Sequence, residues 1–208
     1  MTNQQSTSTT GDGSMLWEGD GSNSYQLPWL QNGSDTWFRM RVLFPDGTNA
    51  AYPGKFTLSP LGGWDTIQSW HSAPGAGYST VVGVHPDTGG VPVLMFRPVG
   101  GDVSGQTFTY VYQTDGTGQR IRLKYNHWYD IVVHLKFGTT SSTGLAEWWV
   151  DGIGQYSGQV PTITTTVTGT TPGVGHEVGL YRGPSRSDTD TLYIDGVVTG
   201  PTVTSIGG

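Results

Sequence analysis

Three side chains at alternating positions, Trp37, Arg39 and Arg41, have the chemistry to recognise a sugar. They belong to the segment WFRMRVLF at 37–44, whose period of two predicts a strand with its even-numbered residues in the core. An indole can stack on a sugar ring, and guanidinium groups can hydrogen-bond hydroxyl or carboxylate oxygens. The same spacing suits a solvated outer face on which the tryptophan covers arginine stems. Spacing alone favours this second interpretation.

A second cationic and aromatic set alternates along a predicted hairpin with its turn at 114–118. It comprises Tyr110, Tyr112, Arg120, Arg122 and Lys124. Such a face can serve as solvent cover or as the wall of a groove, and solvent cover is favoured because charged residues are mostly exposed.

The sequence lacks the motifs that mark most hydrolytic and metal-dependent sites. The glutamates are Glu18, Glu147 and Glu177, so the closely spaced carboxylates of a glycosidase strand do not occur. There is no Gly-x-Ser-x-Gly elbow, no His-Glu-x-x-His and no phosphate loop. The five histidines are scattered and the chain has no cysteine, which excludes disulfides and thiolate metal sites.

The elements that would position these side chains are strands. Residues 127–137 alternate strictly, 138–144 form a turn, and 145–150 return as a second strand that ends in the turn dipeptide Asp151-Gly152. Further hairpins turn at 86–90 and 114–118, and residues 192–198 form a closing strand. Turns about every eight to twelve residues without a helical period are typical of a sandwich or barrel.

Length and composition predict one all-β domain over 15–208, preceded by a flexible polar tether over 1–14. The chain has 208 residues, a formal net charge of −6 and no basic run, which argues against nucleic acid and mildly against a strongly anionic polysaccharide. No apolar run approaches the roughly 20 residues of a membrane span, so no membrane insertion is expected. The uncharged polar surface predicts an extracellular or virion-surface location.

The central hairpin carries the pattern Trp-x-Asp-x-x-Val at 128–133 and Trp-x-Asp-Gly at 149–152. It resembles the hairpin of concanavalin A-like jelly rolls, especially those of the heparin-lyase and alginate-lyase type. The resemblance implies an all-β jelly-roll sandwich of two antiparallel sheets and a polysaccharide partner.

The segment WDTIQSWH at 64–71 resembles a strand that carries Gln-x-His in those lyases. There the resemblance implies that the histidine takes, or helps to take, the C5 proton of a uronate, and that the glutamine neutralises the carboxylate. His71 matches the histidine, Ser69 stands at the glutamine position, and Gln68 is one residue out of register. A one-residue offset turns Gln68 to the opposite face unless a bulge intervenes.

The segment GVGHEVGLYRG at 173–183 resembles the Lys-x-Gly-x-Tyr pattern of the same lyases. Gly179 and Tyr181 match, Arg182 follows as in the heparin-lyase branch, and Glu177 occupies the lysine position. The resemblance implies that Tyr181 is the general acid, and often the base, whereas Glu177 would repel a uronate. Asp195 resembles a calcium-binding or turn-forming aspartate of related sandwiches, and no other cofactor is implied.

β-Elimination requires carboxylate neutralisation, a base at C5 and an acid for the leaving oxygen. His71 and Tyr181 supply the last two, but neutralisation is weakened at Ser69 and Glu177. The sequence therefore favours a lectin-like carbohydrate-binding module, such as a phage decoration or tail component tethered through 1–14. The substrate-binding candidates are Trp37, Arg39, Arg41, Gln68, Ser69 and Arg182. The alternative is a polysaccharide lyase that cleaves a uronate-containing glycan.

Overall fold

The computed structural model describes residues 4–8, 30–31, 33–59, 65–72, 78–98, 109–162, 173–182 and 190–208. These residues form twelve strands and one 3₁₀ turn at Thr204–Ile206. The strands are β1 (Gln4–Ser8), β2 (Leu30–Gln31), β3 (Asp35–Leu43), β4 (Asp65–Ser72), β5 (Tyr78–Pro86), β6 (Pro92–Arg97), β7 (Val111–Tyr112), β8 (Trp128–Lys136), β9 (Leu145–Val150), β10 (Ile153–Gly158), β11 (Gly173–Arg182) and β12 (Asp190–Gly200).

Two antiparallel sheets make up the sandwich. The first sheet has the strand order β1-β12-β3-β8-β9-β10, and the second has the order β2-β11-β4-β5-β6-β7. Each sheet contains strands that are distant in sequence, since β3 pairs with β8 and β12, and β4 pairs with β11. The predicted all-β sandwich of two antiparallel sheets is confirmed.

The central hairpin forms as predicted, with β8 paired to β9 from Ile131 opposite Val150 to Lys136 opposite Leu145. The turn after Val150 requires left-handed backbone, and Asp151 (φ 51°) and Gly152 (φ 77°) provide it. This turn leads into β10, an additional strand that the sequence analysis did not predict.

The core lies between the sheets, where alternation predicted it. Alternation places Phe38, Met40, Val42, Phe44, Ile131, Val133 and Leu135 inside, and all are buried; of the two alternatives Trp148 and Trp149, Trp148 is the buried one. Trp70 from the second sheet packs edge-on against Phe38 of the first, with ring centroids 5.0 Å apart. Aromatic rings therefore join the two sheets.

The amino-terminal prediction needs a correction, because Gln4–Ser8 pairs antiparallel with β12 at the edge of the first sheet. A free tether over 1–14 is wrong for these five residues, and the rest of that range lies outside the described residues. An edge strand needs one ladder of backbone hydrogen bonds and no apolar side chain, so polar composition does not prevent it. In the part of the chain that is described, no helix is long and apolar enough to cross a membrane.

Candidate functional site

The pairing of β4 with β11 sets the positions of the two candidate catalytic residues. His71 lies opposite Gly175, and Tyr181 lies opposite Thr66. The two residues are on neighbouring strands, but five residues of β4 separate their register positions. At about 3.3 Å per residue this is roughly 16 Å of strand. The backbone register therefore does not bring His71 and Tyr181 together.

A β-bulge lies within this pairing, because Val178 opposes Gln68 whereas Tyr181 opposes Thr66. Ile67 therefore faces two residues of β11, one of which is Gly179 with a φ of 152°. At the bulge, two consecutive residues face the interior: Ile67 belongs to the hydrophobic core, and Gln68 lies opposite the core residue Val82.

Gln68 is consequently part of the core, which corrects its assignment to substrate binding. It is 1% exposed, and its side-chain amide lies 2.9 Å from His176 Nε2. The His176 ring stacks on Trp70 with centroids 5.1 Å apart, and burial lowers the pKa of His176 to about 3. A neutral imidazole and a buried amide thus hold β4 to β11 from the inside.

The outer face of the second sheet is the face directed away from the core, although Ser69, Val81, Thr66 and Met95 on this face are also buried. Because directly opposed residues share a face, the register defines a row across four strands: Glu177, Ser69, Val81 and Arg97. Ser69 Oγ donates a 3.4 Å hydrogen bond to Glu177 Oε2. The sequence analysis missed Arg97, although the alternation of Val93, Met95 and Arg97 along β6 was a usable signal.

A second row on the same face begins at Tyr181. It continues through Thr66, Gly83 and Met95 to Tyr112 on β7. Gly83 is required at its position because a Cβ there would collide with the Asp65 carbonyl oxygen. This row connects the tyrosine of the lyase-like motif to the aromatic and cationic residues of the hairpin at 109–125.

Trp37, Arg39 and Arg41, named as substrate-binding candidates from the sequence, lie on β3 in the first sheet, whereas His71 and Tyr181 lie on β4 and β11 in the second. The physical reason is that β3 pairs with β8 and β12, whereas β4 pairs with β11 and β5. The Trp37 ring stacks on His134 and Trp149, with centroids at 4.1 Å and 5.4 Å.

The two arginines of β3 also have local partners. Arg39 makes two 2.8 Å hydrogen bonds to Asp130 and a third, of 2.6 Å, to the carbonyl oxygen of Gly207. The Arg41 guanidinium lies 5.1 Å from the Trp128 ring centroid. An aromatic ring therefore covers one of the arginines, but it is Trp128 of β8 and not Trp37, which the sequence analysis placed there.

Asp195 is also on the first sheet, where its carboxylate lies 3.8 Å from Arg41 Nη1. Within the described ranges, no three His, Cys, Asp or Glu side chains come together as a metal site would require. Calcium binding at Asp195 stays a prediction, as do the roles of Ser69 and Arg182 toward a substrate.

Comparison with known proteins identifies the family. A family model described as polysaccharide lyase matches residues 3–198. The structure is similar to an endo-β-1,4-glucuronan lyase from the fungus Trichoderma reesei, with a TM-score of 0.58, 16% identity and coverage of 97% of this chain and 81% of that one.

Two further structures are similar in fold. A variant of the alginate lyase Aly36B, solved with alginate trisaccharide, gives a TM-score of 0.59 at 14% identity and covers 95% of this chain and 80% of that one. The alginate lyase vAL-1 from Chlorella virus gives 0.50 at 13% identity, covering 94% and 83%. A search of curated protein sequences found no match. The family model spans most of the chain, and the protein therefore belongs to the polysaccharide lyase family.

Proposed function

We propose that the protein is a lyase that cleaves a uronate-containing polysaccharide by β-elimination, on the outer face of the second sheet. The observation that carries the proposal is the Gly179-x-Tyr181 pair, which lies on β11 beside β4 in a chain of this family. The similar structures are named for lyases of glucuronan and alginate, both of which are polyuronates. These comparisons favour the lyase alternative over the binding module that the sequence favoured.

Tyr181 is the residue proposed to carry both proton transfers. In β-elimination a base removes the C5 proton, the C4–O bond breaks, a C4=C5 double bond forms, and the leaving oxygen receives a proton. A tyrosinate that takes the C5 proton and delivers it to the leaving oxygen completes this cycle without net change. The distance along β4 argues for one group in both roles, because His71 and Tyr181 occupy distant register positions.

Charges on the outer face bear on how a uronate is held. Glu177 lies one row from Tyr181 and disfavours a carboxylate nearby, whereas Arg97 lies at the other end of the Glu177 row. A uronate chain is therefore expected to run across the strands toward the arginines of β6 and the hairpin at 109–125. A substrate of this kind lies outside cells, so an extracellular or virion-surface location is part of the proposal.

The direct test is to mix the protein with a panel of uronate polymers, including alginate and polyglucuronate, and to follow the ultraviolet absorbance of unsaturated uronate ends. We expect turnover of at least one polymer by the wild-type protein. Tyr181→Phe should lower kcat by roughly 10²- to 10⁴-fold, the usual range for loss of a general acid or base. The matched control is Tyr156→Phe, because Tyr156 lies on β10 of the first sheet, away from both rows.

Binding measurements on the same polymers separate the two interpretations of the fold. Affinity electrophoresis should show that Tyr181→Phe still binds the polymer that the wild type cleaves. If the wild type binds a polymer and releases no unsaturated ends from any member of the panel, the protein is a binding module and the lyase proposal is wrong.

A further inference from the structure

We infer that Arg120, together with Tyr112 and Tyr110, forms a subsite for the carboxylate of a uronate several sugars away from the cleaved bond. This inference rests on the proposed function, since it names a substrate contact of the same groove. Its starting point is the row from Tyr181 through Thr66, Gly83 and Met95, which ends at Tyr112 on β7. Arg120 forms a β-bridge with Thr114, two residues from Tyr112, and so belongs to the same face.

The geometry at Arg120 suits a carboxylate. Its guanidinium carbon lies 3.9 Å from the centroid of the Tyr112 ring, so the flat face of the cation rests on the aromatic ring. A guanidinium held in this way keeps its N–H edge available for a bidentate bond to a carboxylate. Arg120 is exposed and has no ion pair within the described part of the chain.

Neighbouring groups hold this arrangement in place. Tyr112 Oη lies 3.4 Å from His85 Nδ1, and the His85 ring stacks on Tyr110 with centroids 5.1 Å apart. Burial raises the pKa of Tyr112, which therefore stays a neutral phenol under Arg120. The turn before Arg120 is closed by Asp115, whose carboxylate accepts hydrogen bonds from the backbone N–H groups of Thr117 and Gln119.

Charge complementarity identifies the occupant as a polyanion. Arg122 forms a β-bridge with Val93, which places a second cation on the same face beside Arg120. Asp87 interacts electrostatically with Arg120 and Arg122; its carboxylate accepts hydrogen bonds from the backbone N–H groups of Val91 and Gly89, which lower its pKa, and the two arginines add to this effect. Because the Asp87 carboxylate is hydrogen-bonded within its own turn, Arg120 can bind a substrate carboxylate.

Distance identifies the occupant as a polymer. Four inter-strand steps separate Tyr181 from Tyr112, which at about 4.8 Å each amounts to roughly 19 Å. A disaccharide that places its bond at Tyr181 cannot also reach Arg120, whereas a longer oligouronate can. The affinity for a substrate should therefore depend on Arg120 only when the oligouronate is long enough to reach from Tyr181 to Arg120.

The test compares Arg120→Gln with Arg41→Gln. Arg41 is a matched control because it is also an arginine over an aromatic ring, but it lies on the first sheet. Dissociation constants are measured by titration calorimetry in the Tyr181→Phe background, so that the ligand is not cleaved, for alginate and polyglucuronate octasaccharides, for the disaccharides, and for octasaccharides with reduced carboxyl groups. We expect Arg120→Gln to weaken binding of the charged octasaccharide of the substrate about tenfold, which is the size of one charge-assisted hydrogen bond. The disaccharide, the reduced octasaccharide and Arg41→Gln should show no change.

The outcomes separate this subsite from the proposed reaction. If octasaccharide binding depends on Arg120 but the wild type forms no unsaturated ends, the subsite stands and the lyase proposal falls. If the wild type cleaves the polymer and Arg120→Gln in the Tyr181→Phe background binds the octasaccharide as tightly as Tyr181→Phe alone does, the subsite is refuted and the lyase stands. An equal loss in Arg41→Gln would also overturn the inference, because it would reveal a general charge effect.

Discussion

Acidification should destabilise this fold through His176. The side chain is fully buried between the sheets, stacked on Trp70 and bonded to Gln68, and burial lowers its pKa from 6.5 to about 3. The unfolded chain binds a proton at this histidine below pH 6.5, whereas the folded chain binds one only near pH 3. Stability is therefore lost as the pH falls through the window from 6.5 to 3.

The magnitude at pH 5 follows from these two values. At pH 5 the unfolded histidine is almost fully protonated and the folded one is not, so the loss relative to pH 7 is about 2 kcal/mol. The result is insensitive to the folded pKa as long as it stays below about 4. For a domain of this size the loss corresponds to roughly 4–8 °C in Tm.

The variant His176→Gln isolates this effect, because glutamine can bond to Gln68 but cannot ionise. Urea unfolding at pH 7 and pH 5 should show that the variant loses about 2 kcal/mol less than the wild type over this interval. His127→Gln is the control for the same substitution at a histidine outside the core, where His127 is partly exposed beside Asp151. Equal losses in His176→Gln and the wild type would mean that His176 ionises freely in the folded protein, and the closed Gln68–His176 pair would be refuted.

Two further predictions follow from the packing. Phe44→Ala should lower the free energy of unfolding by roughly 3–5 kcal/mol, because the ring is fully buried against Phe56 and Tyr129, and an unchanged Tm would contradict the core assignment. Trp37→Ala should reduce stability by about 1–2 kcal/mol through loss of its stacking on His134 and Trp149. It should leave polysaccharide affinity unchanged in affinity electrophoresis, and weaker binding would return Trp37 to the substrate site.

The core could be predicted from the sequence because side-chain alternation in a strand depends only on local geometry. The segments at 37–44 and 127–137 each keep the period of two without interruption, and every position assigned to the inside is buried. The same rule predicted that a one-residue offset would turn Gln68 inward. It could not locate the bulge beside Gly179, because a bulge is a property of two paired strands.

The sequence could not predict which strands share a sheet. For this reason the substrate-binding candidates were grouped together, although the structure divides them between the two sheets. Trp37, Arg39 and Arg41 share a face through local spacing, but which sheet they belong to depends on pairing with β8 and β12, both distant in sequence. Nothing in an alternating segment specifies its partner. The polar strand β1 was missed for a related reason, since its place in the sheet comes from backbone pairing with β12.

Net charge does not argue against the proposed uronate substrate, because electrostatic attraction is local. Charges farther apart than about 8 Å are largely screened at physiological salt, so a polymer on one sheet does not respond to carboxylates on the other. Among the described strands, Asp35, Asp130, Glu147 and Asp195 belong to the first sheet. On the outer face of the second sheet, Glu177 lies near the Tyr181 row at one end, and Arg120 lies at the other.

In the proposed groove, the residues that would bind the polymer most strongly lie near Arg120, whereas the proposed reaction takes place at the other end, near Tyr181. A uronate near Glu177 is held weakly, so a lyase with this face must obtain its binding energy from sugars distant from the reacting bond. Binding energy from remote parts of a substrate can position the reacting sugar, and shorter substrates then lose kcat as well as affinity. Glu177, at the position where the resemblance implies a lysine, is therefore compatible with the proposed catalysis on long polymers, provided that the cationic end at Arg120 holds the chain.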